Sequence, residues 1–323
     1  MKRQKLVGYG MLLVGMIGMI LMLYYYWPKV SSLWENPERF WKLFVSAAKL
    51  DEIVSLGTVV TLALFFLAAF IDVFALGWEK SGLRKLLKGG DQSVWNDITC
   101  YLLSVLRVFD ILALISSLGI AYFLASIFIN YLNFNLSDLI QNQWLKLIIV
   151  FILLDLLHYF QHRFMHVKPF WELHAYHHSA EEFTLLTTSR GHVLEGAIYF
   201  LFSGIFYAIV GGDDLLEVIF YLNAVREGYQ YLLHSDLNWH LGFIGKYVLI
   251  SPAAHRLHHS ISEKDYNKNY GTFFVWWDKL FGTYEDPKEF YKIGIKENPY
   301  NSTNFFEGQW IGIKHFLGLN SEK

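Results

Sequence analysis

The sequence is poor in charge. Asp, Glu, Lys and Arg make up 17% of its 323 residues, against about 25% in a soluble domain. That deficit argues against a freely soluble globular chain. The net charge is −2, which leaves no bulk electrostatic basis for binding nucleic acid. A single cysteine, Cys100, excludes an internal disulfide and a cysteine-rich metal site; on its own it reads as a small buried apolar residue. There is no extended linker, low-complexity tract or repeat of 20–50 residues. No haem-binding segment and no flavin or nicotinamide fingerprint is present. What the chain has instead is apolar surface: 54% hydrophobic residues, 18% of the total aromatic.

Much of that apolar surface comes in runs. Residues 6–27 follow the basic start MKRQK. They are too long for a signal-peptide core of about 7–15 residues and lack its small-residue cleavage pattern, so they read as a retained membrane helix. The tyrosines and Trp27 at its end suit an interfacial belt. Its glycines do not follow a strand, so they fit helix packing better than a nucleotide loop. Further spans are expected at 53–78, from Ile111 to Tyr131, and at 144–161. Two more apolar segments, 193–210 and 215–233, are joined by a GGDD turn and read as a hairpin that spans or re-enters. The 215–233 arm carries Glu217, Asn223, Arg226 and Glu227, and is therefore expected to line a site rather than face lipid. The fold expected is all-α: a polytopic membrane helix bundle of about four spanning helices plus that hairpin, with a cytoplasmic histidine-rich cap. The positive-inside rule puts MKRQK and the Lys80–Lys88 cluster in the cytoplasm and the 133–143 loop, which lacks Lys and Arg, outside. The four basic residues of 28–51 fit that orientation less well. The sequon at Asn135 would lie on the outer side and reads as chance. The segments divide as 1–143, an N-terminal transmembrane region; 144–285, a catalytic region; and 286–323, a cytoplasmic tail.

The stretch His162–His178 reads HRFMHVKPFWELHAYHH, and HRLHH follows from His255. Residues i and i+4 share a helix face. His162/His166, His174/His178 and His255/His259 have that spacing, with His177 and His258 one step aside. Neutral imidazole is the commonest metal ligand. Eight of them exceed the four of one tetrahedral ion and suffice for two ions. His234 ends the returning arm and is a ninth candidate. Gln230 lies one turn earlier on the same face, placed to orient a ligand or bond a metal-bound water, with a plain polar core residue as the alternative reading. His158 shares a face with His162 but sits deeper in an apolar run; His192, His240 and His315 lack partners at ligand spacing. Asp155 and Asp278 are candidates to fix a histidine tautomer, as carboxylates do behind metal ligands.

At these residues the chain resembles the fatty acid hydroxylase/sterol desaturase superfamily of integral-membrane di-iron oxygenases. The frame is HX3H, HX2HH, then HX2HH, here with 76 residues between the last two blocks. The flanks also match: Asp155, His162-Arg163, TTSR ending at Arg190, His234-Ser235, Asn267–Gly271 and Trp277–Thr283. The resemblance covers Leu147 to Glu285, about 40% of the chain. Gln230-X3-His234 and the NYG and WDKLFGT segments look most like the alkylglycerol monooxygenase branch and its bacterial relatives. The resemblance implies two iron ions on the nine histidines and O2 as co-substrate. It implies electrons from a separate reductase or carrier, and hydroxylation of a lipid C–H bond of fatty acyl, ether-lipid or sterol type. Desaturation by the same centre is the nearest alternative. Tetrahydrobiopterin is implied only by the branch; no residue here marks a pterin site. Location would be the plasma or inner membrane of a bacterium, or the endoplasmic reticulum of a eukaryote, with the site on the cytoplasmic side. A histidine-lined metal transporter and a di-zinc hydrolase are the readings from other classes. The first needs histidines at the bilayer midplane; the second needs turnover without oxygen.

Overall fold

The computed structural model describes residues 56–106, 108–116, 139–210, 213–300 and 302–319. The expected first span at 6–27, the 117–131 part of the third and the Asn135 sequon lie outside them. Among the described residues the fold is helical, with two isolated bridges, Leu249 to Phe274 and Ser260 to Ile293, in place of any sheet.

Among the described residues, two helices are long and apolar enough to cross a membrane. α1, Leu56–Leu76, is LGTVVTLALFFLAAFIDVFAL; 21 residues at about 1.5 Å each match a hydrocarbon core of about 30 Å. Its outer face shows Phe66, Phe70 and Phe74, the last 83% exposed. Helices α2 (Gly82–Lys88), α3 (Gln92–Val105) and α4 (Val108–Ser116) follow. Ser81 caps α2 and Asp91 caps α3, each accepting a first-turn backbone N–H. The second long helix, α5, is Gln143–Met165, capped by Asn142. Trp144, near its start, is 77% exposed.

After the eight-residue α6 (Trp171–His178), α7 (Val193–Val210) and α8 (Asp213–Leu233) form the hairpin read from sequence. α7 packs along α4, α8 along α1, and α5 lies against both. Val150, Leu154, Val210 and Ile219 form the core where α5, α7 and α8 meet. Short helices α9 (Gly242–Tyr247), α10 (Pro252–His258) and α11 (Trp276–Leu280) build the remaining face.

Segment 286–323, expected as a tail, is folded onto the histidine region along most of its length. Its helix α12, Phe305–Phe316, begins with an Asn304/Glu307 capping box and packs on α6. Tyr300 and Phe305 are buried with Cys100, Ala175 and Tyr176. The buried stripe is Phe305, Gly308, Gln309 and Gly312, at helical spacing but half of it glycine, so a hydrophobicity scan passes over it. A Cβ on Gly308 would come within 2.5 Å of the Tyr176 ring; glycine is what lets the two helices meet.

Candidate metal centre

Four helices deliver the histidines. α5 ends with buried His162 and, one turn on, His166 as its C-cap residue. α6 places His174, His177 and His178 in two turns. His234 follows the last turn of α8. Ser251 caps α10, with Pro252 in its first turn, which sets the register of His255, His258 and His259.

The nine side chains fall into two groups. One holds His162, His166, His174, His178 and His258; the other holds His177, His234, His255 and His259. Within each group the nearest ring nitrogens all lie within 4.8 Å of one another. In the second group, Nε2 of His234 is 3.3 Å from Nε2 of His177 and 3.1 Å from Nε2 of His255. Nitrogens bound at about 2.0–2.1 Å to one ion stand roughly 3.0–3.4 Å apart, so this spacing suits shared coordination. The groups abut: the His178 and His259 rings stack at 4.2 Å between centroids.

The hydrogen bonds decide which nitrogen faces inward. Nδ1–H of His162 donates to the Tyr270 carbonyl at 2.9 Å, that of His258 to Lys268 at 2.7 Å, and that of His177 to Arg190 at 2.9 Å. His234 Nδ1–H donates to the Gln230 carbonyl at 3.0 Å. A carbonyl can only accept, so each of these rings carries its proton on Nδ1 and presents the Nε2 lone pair. All five Nε2 atoms of the first group are buried without a hydrogen-bond partner. Buried polar atoms are rarely left so, and five converging ones fit an ion. Burial holds two of these imidazoles neutral: His177 is lowered to about 4 and His258 to about 3. A metal ligand must be in that form.

A cavity of about 350 Å³ opens beside both groups, within the range of small-molecule sites. His162 and His174 of the first group and His177, His234 and His255 of the second line it. The α8 arm lines it as expected, through Arg226, Glu227 and Gln230.

Residues 147–283 match the fatty acid hydroxylase family model. They are a fatty acid hydroxylase domain. The chain is 33% identical over 194 residues to human alkylglycerol monooxygenase, covering 59% of this chain and 40% of that protein. It is 30% identical over 174 residues to the Caenorhabditis elegans alkylglycerol monooxygenase, 52% of this chain and 33% of that one. It is also 30% identical over 130 residues to the ornithine lipid hydroxylase OlsE of Rhizobium tropici, 40% of this chain and 38% of that protein. The matched stretch thus spans a third to two fifths of these relatives. No solved structure matches the chain.

Around the histidines of the fatty acid hydroxylase domain, the two expected aspartates act one step further out than expected. Neither is hydrogen-bonded to a histidine. Asp155 accepts from Thr272 Oγ1, Phe274 N and Trp277 Nε1 at 2.8–3.0 Å. Asp278 accepts from Tyr270 N, Gly271 N and Thr283 Oγ1 at 2.7–2.8 Å. Together they pin the 270–283 segment, whose Tyr270 carbonyl holds His162. Burial raises the Asp278 carboxyl to about 6. A Cβ on Gly271 would meet Asp278 Oδ2 at 2.8 Å, which explains a glycine there. Gln230 donates its side-chain N–H to the Thr272 carbonyl while its own carbonyl holds His234. His158 is hydrogen-bonded to Gln161 and Asn223, outside both groups. His192 bonds to the Gln309 carbonyl of α12, and His240 is exposed.

Two buried carboxylates behind the histidine groups escape a reading of the sequence. Glu195 Oε1 accepts from His174 Nδ1 at 2.7 Å; it is the one carboxylate bonded to a ring of either group among the described residues. The signal was there, a single acid inside the apolar run 193–210. Asp97 of α3 forms a buried ion pair with Arg190 at 2.6 Å and accepts from Thr184 and Thr187. Arg190 in turn presents the carbonyl that holds His177. Asp97 opens an apolar stretch and lies before the motif region, so nothing local marks it.

Proposed function

We propose that this chain is a membrane-bound di-iron monooxygenase that hydroxylates a C–H bond of a lipid. The observation that carries the reading is the pair of histidine groups, inward-facing and sharing one cavity. The balanced reaction is R–H + O2 + two electrons + two protons giving R–OH + H2O. Imidazole suits several metals, but zinc has no redox chemistry. Relatives named monooxygenase and hydroxylase therefore favour iron. Two iron ions on His162, His166, His174, His178 and His258, and on His177, His234, His255 and His259, would supply oxygen activation. The protein's own part is orientation. Backbone carbonyls and Glu195 fix the rings, and α5, α6, α8 and α10 surround the centre and limit water. Arg226, Glu227 and Ser203 on the same cavity accommodate polar atoms of the lipid. The electrons come from a separate donor, for which tetrahydrobiopterin and a reductase are the alternatives to test.

On this reading α1, α5 and the 193–233 hairpin belong to a multi-pass membrane region with the histidines at its cytoplasmic side. Metal analysis of the purified protein, with lipid profiling of expressing cells grown with and without oxygen, tests the proposal. Bound iron and an oxygen-dependent hydroxylated lipid are expected. His177→Ala should lower both while the protein still inserts. Equal lipid change without oxygen, or full metal and activity in His177→Ala, would overturn it.

A further inference from the structure

Outside the metal centre, the described surface carries a concentrated apolar patch on α9 and α11. Phe243, Ile244, Tyr247, Trp276, Leu280 and Phe281 are all exposed there, Phe243 by 73% and Leu280 by 69%. Scattered exposed apolar residues need no explanation, but a contiguous group does. The patch is built rather than loose. Trp276 Nε1–H donates to the Tyr247 carbonyl at 2.9 Å, and Val275 N–H to the Val248 carbonyl at 3.1 Å. Leu249 and Phe274 form a bridge beside them.

Its charge is one-sided. Stretches 237–249 and 273–284 contain a single acid, Asp278, and that one is fully buried. Lys246 and Lys279 are exposed, their Nζ atoms 5.8 and 5.0 Å from the Tyr247 ring. The patch is also continuous with α5. The Phe281 ring lies 5.4 Å from Tyr159 and 5.2 Å from the exposed Phe160, centroid to centroid.

That junction has a predictable depth. Exposed Trp144 marks one end of α5. A hydrocarbon core of about 30 Å at about 1.5 Å per residue ends roughly 20 residues later. Phe160, 16 residues after Trp144, and Phe281 against it therefore stand about one helical turn from the second interface, where Trp and Tyr collect and Lys extends toward headgroups.

We propose that the α9–α11 face is seated in the headgroup layer of the membrane and prefers anionic lipid. The proposal rests on reading α5 as a membrane span and is independent of the metal chemistry.

Full-length protein in nanodiscs tests it. Cys100 is buried, so an environment-sensitive fluorophore can be placed on Phe243→Cys, Leu280→Cys and, as an exposed site off the patch, Lys264→Cys. Labels at 243 and 280 should shift to the blue and be quenched by lipids carrying a nitroxide near the headgroup, while the label at 264 is not. Adding phosphatidylglycerol to phosphatidylcholine should deepen the quenching at 243, and Lys246→Glu with Lys279→Glu should abolish that gain. Water-like emission at 243 and 280 would overturn the proposal. So would a blue shift without lipid quenching, which would mean a protein occupant such as a second copy or residues 1–55. A label on Trp144→Cys reports the α5 span separately: quenching there with none at 243 and 280 would sink the patch alone.

Discussion

Glu195→Gln keeps an acceptor beside His174 Nδ1 but removes its negative charge. That charge raises the donor strength of the imidazole and fixes its tautomer, and partners of this kind are typically worth 10- to 100-fold in metal affinity or activity. The expected result is a loss of that order in affinity, read by metal titration of the apo-protein, with helix content unchanged. An unchanged affinity would mean that the 2.7 Å contact does not support the metal. The histidines themselves were legible in the sequence because spacing encodes a shared helix face. His234 was legible only through the chain's need to return to the same side. The carbonyl partners were not, since any residue can present a carbonyl: nothing in the letters at Tyr270, Lys268 or Arg190 says that their backbone oxygens hold ring protons.

At the scale of elements, α3 lies outside the fatty acid hydroxylase match yet steadies it. Asp97 and Arg190 are both 1% exposed, and removing one partner of such a pair leaves a buried charge uncompensated. Asp97→Asn should therefore destabilise the protein by about 3–5 kcal/mol. Denaturant unfolding in detergent micelles would show this, and metal retention should fall because the loop holding His177 loosens. A shift under about 1 kcal/mol would show that Ser93 and Ser179 suffice to hold the guanidinium. The helices of 21 and 23 residues were readable from apolar length. α12 was not, because its contact with α6 depends on Gly308 against Tyr176, and its contact ahead of α7 on His192 meeting Gln309, features of close approach rather than of hydrophobicity.

At the scale of the molecule, buried imidazoles such as His177 and His258 make the metal-free protein sensitive to acid. Folded His177 resists protonation until about 4 and His258 until about 3, mainly through burial, while the unfolded chain takes up protons near 6.5. Between those values the unfolded state binds more protons, so stability falls as pH falls. The slope is about 1.4 kcal/mol per pH unit for each such group, flattening below about 4 for His177 and about 3 for His258. Equilibrium unfolding of apo-protein from pH 7 to 4 should show the decline, and a flat profile would contradict it. The division of the histidines into five and four has a further consequence. The two positions are chemically unequal: one has an additional donor and a carboxylate behind His174, the other neither. A strong chelator should accordingly strip the protein in two kinetic phases, emptying the four-histidine position first. Partial replacement with a second metal would then yield a defined mixed-metal protein rather than a statistical blend, which single-phase release would rule out.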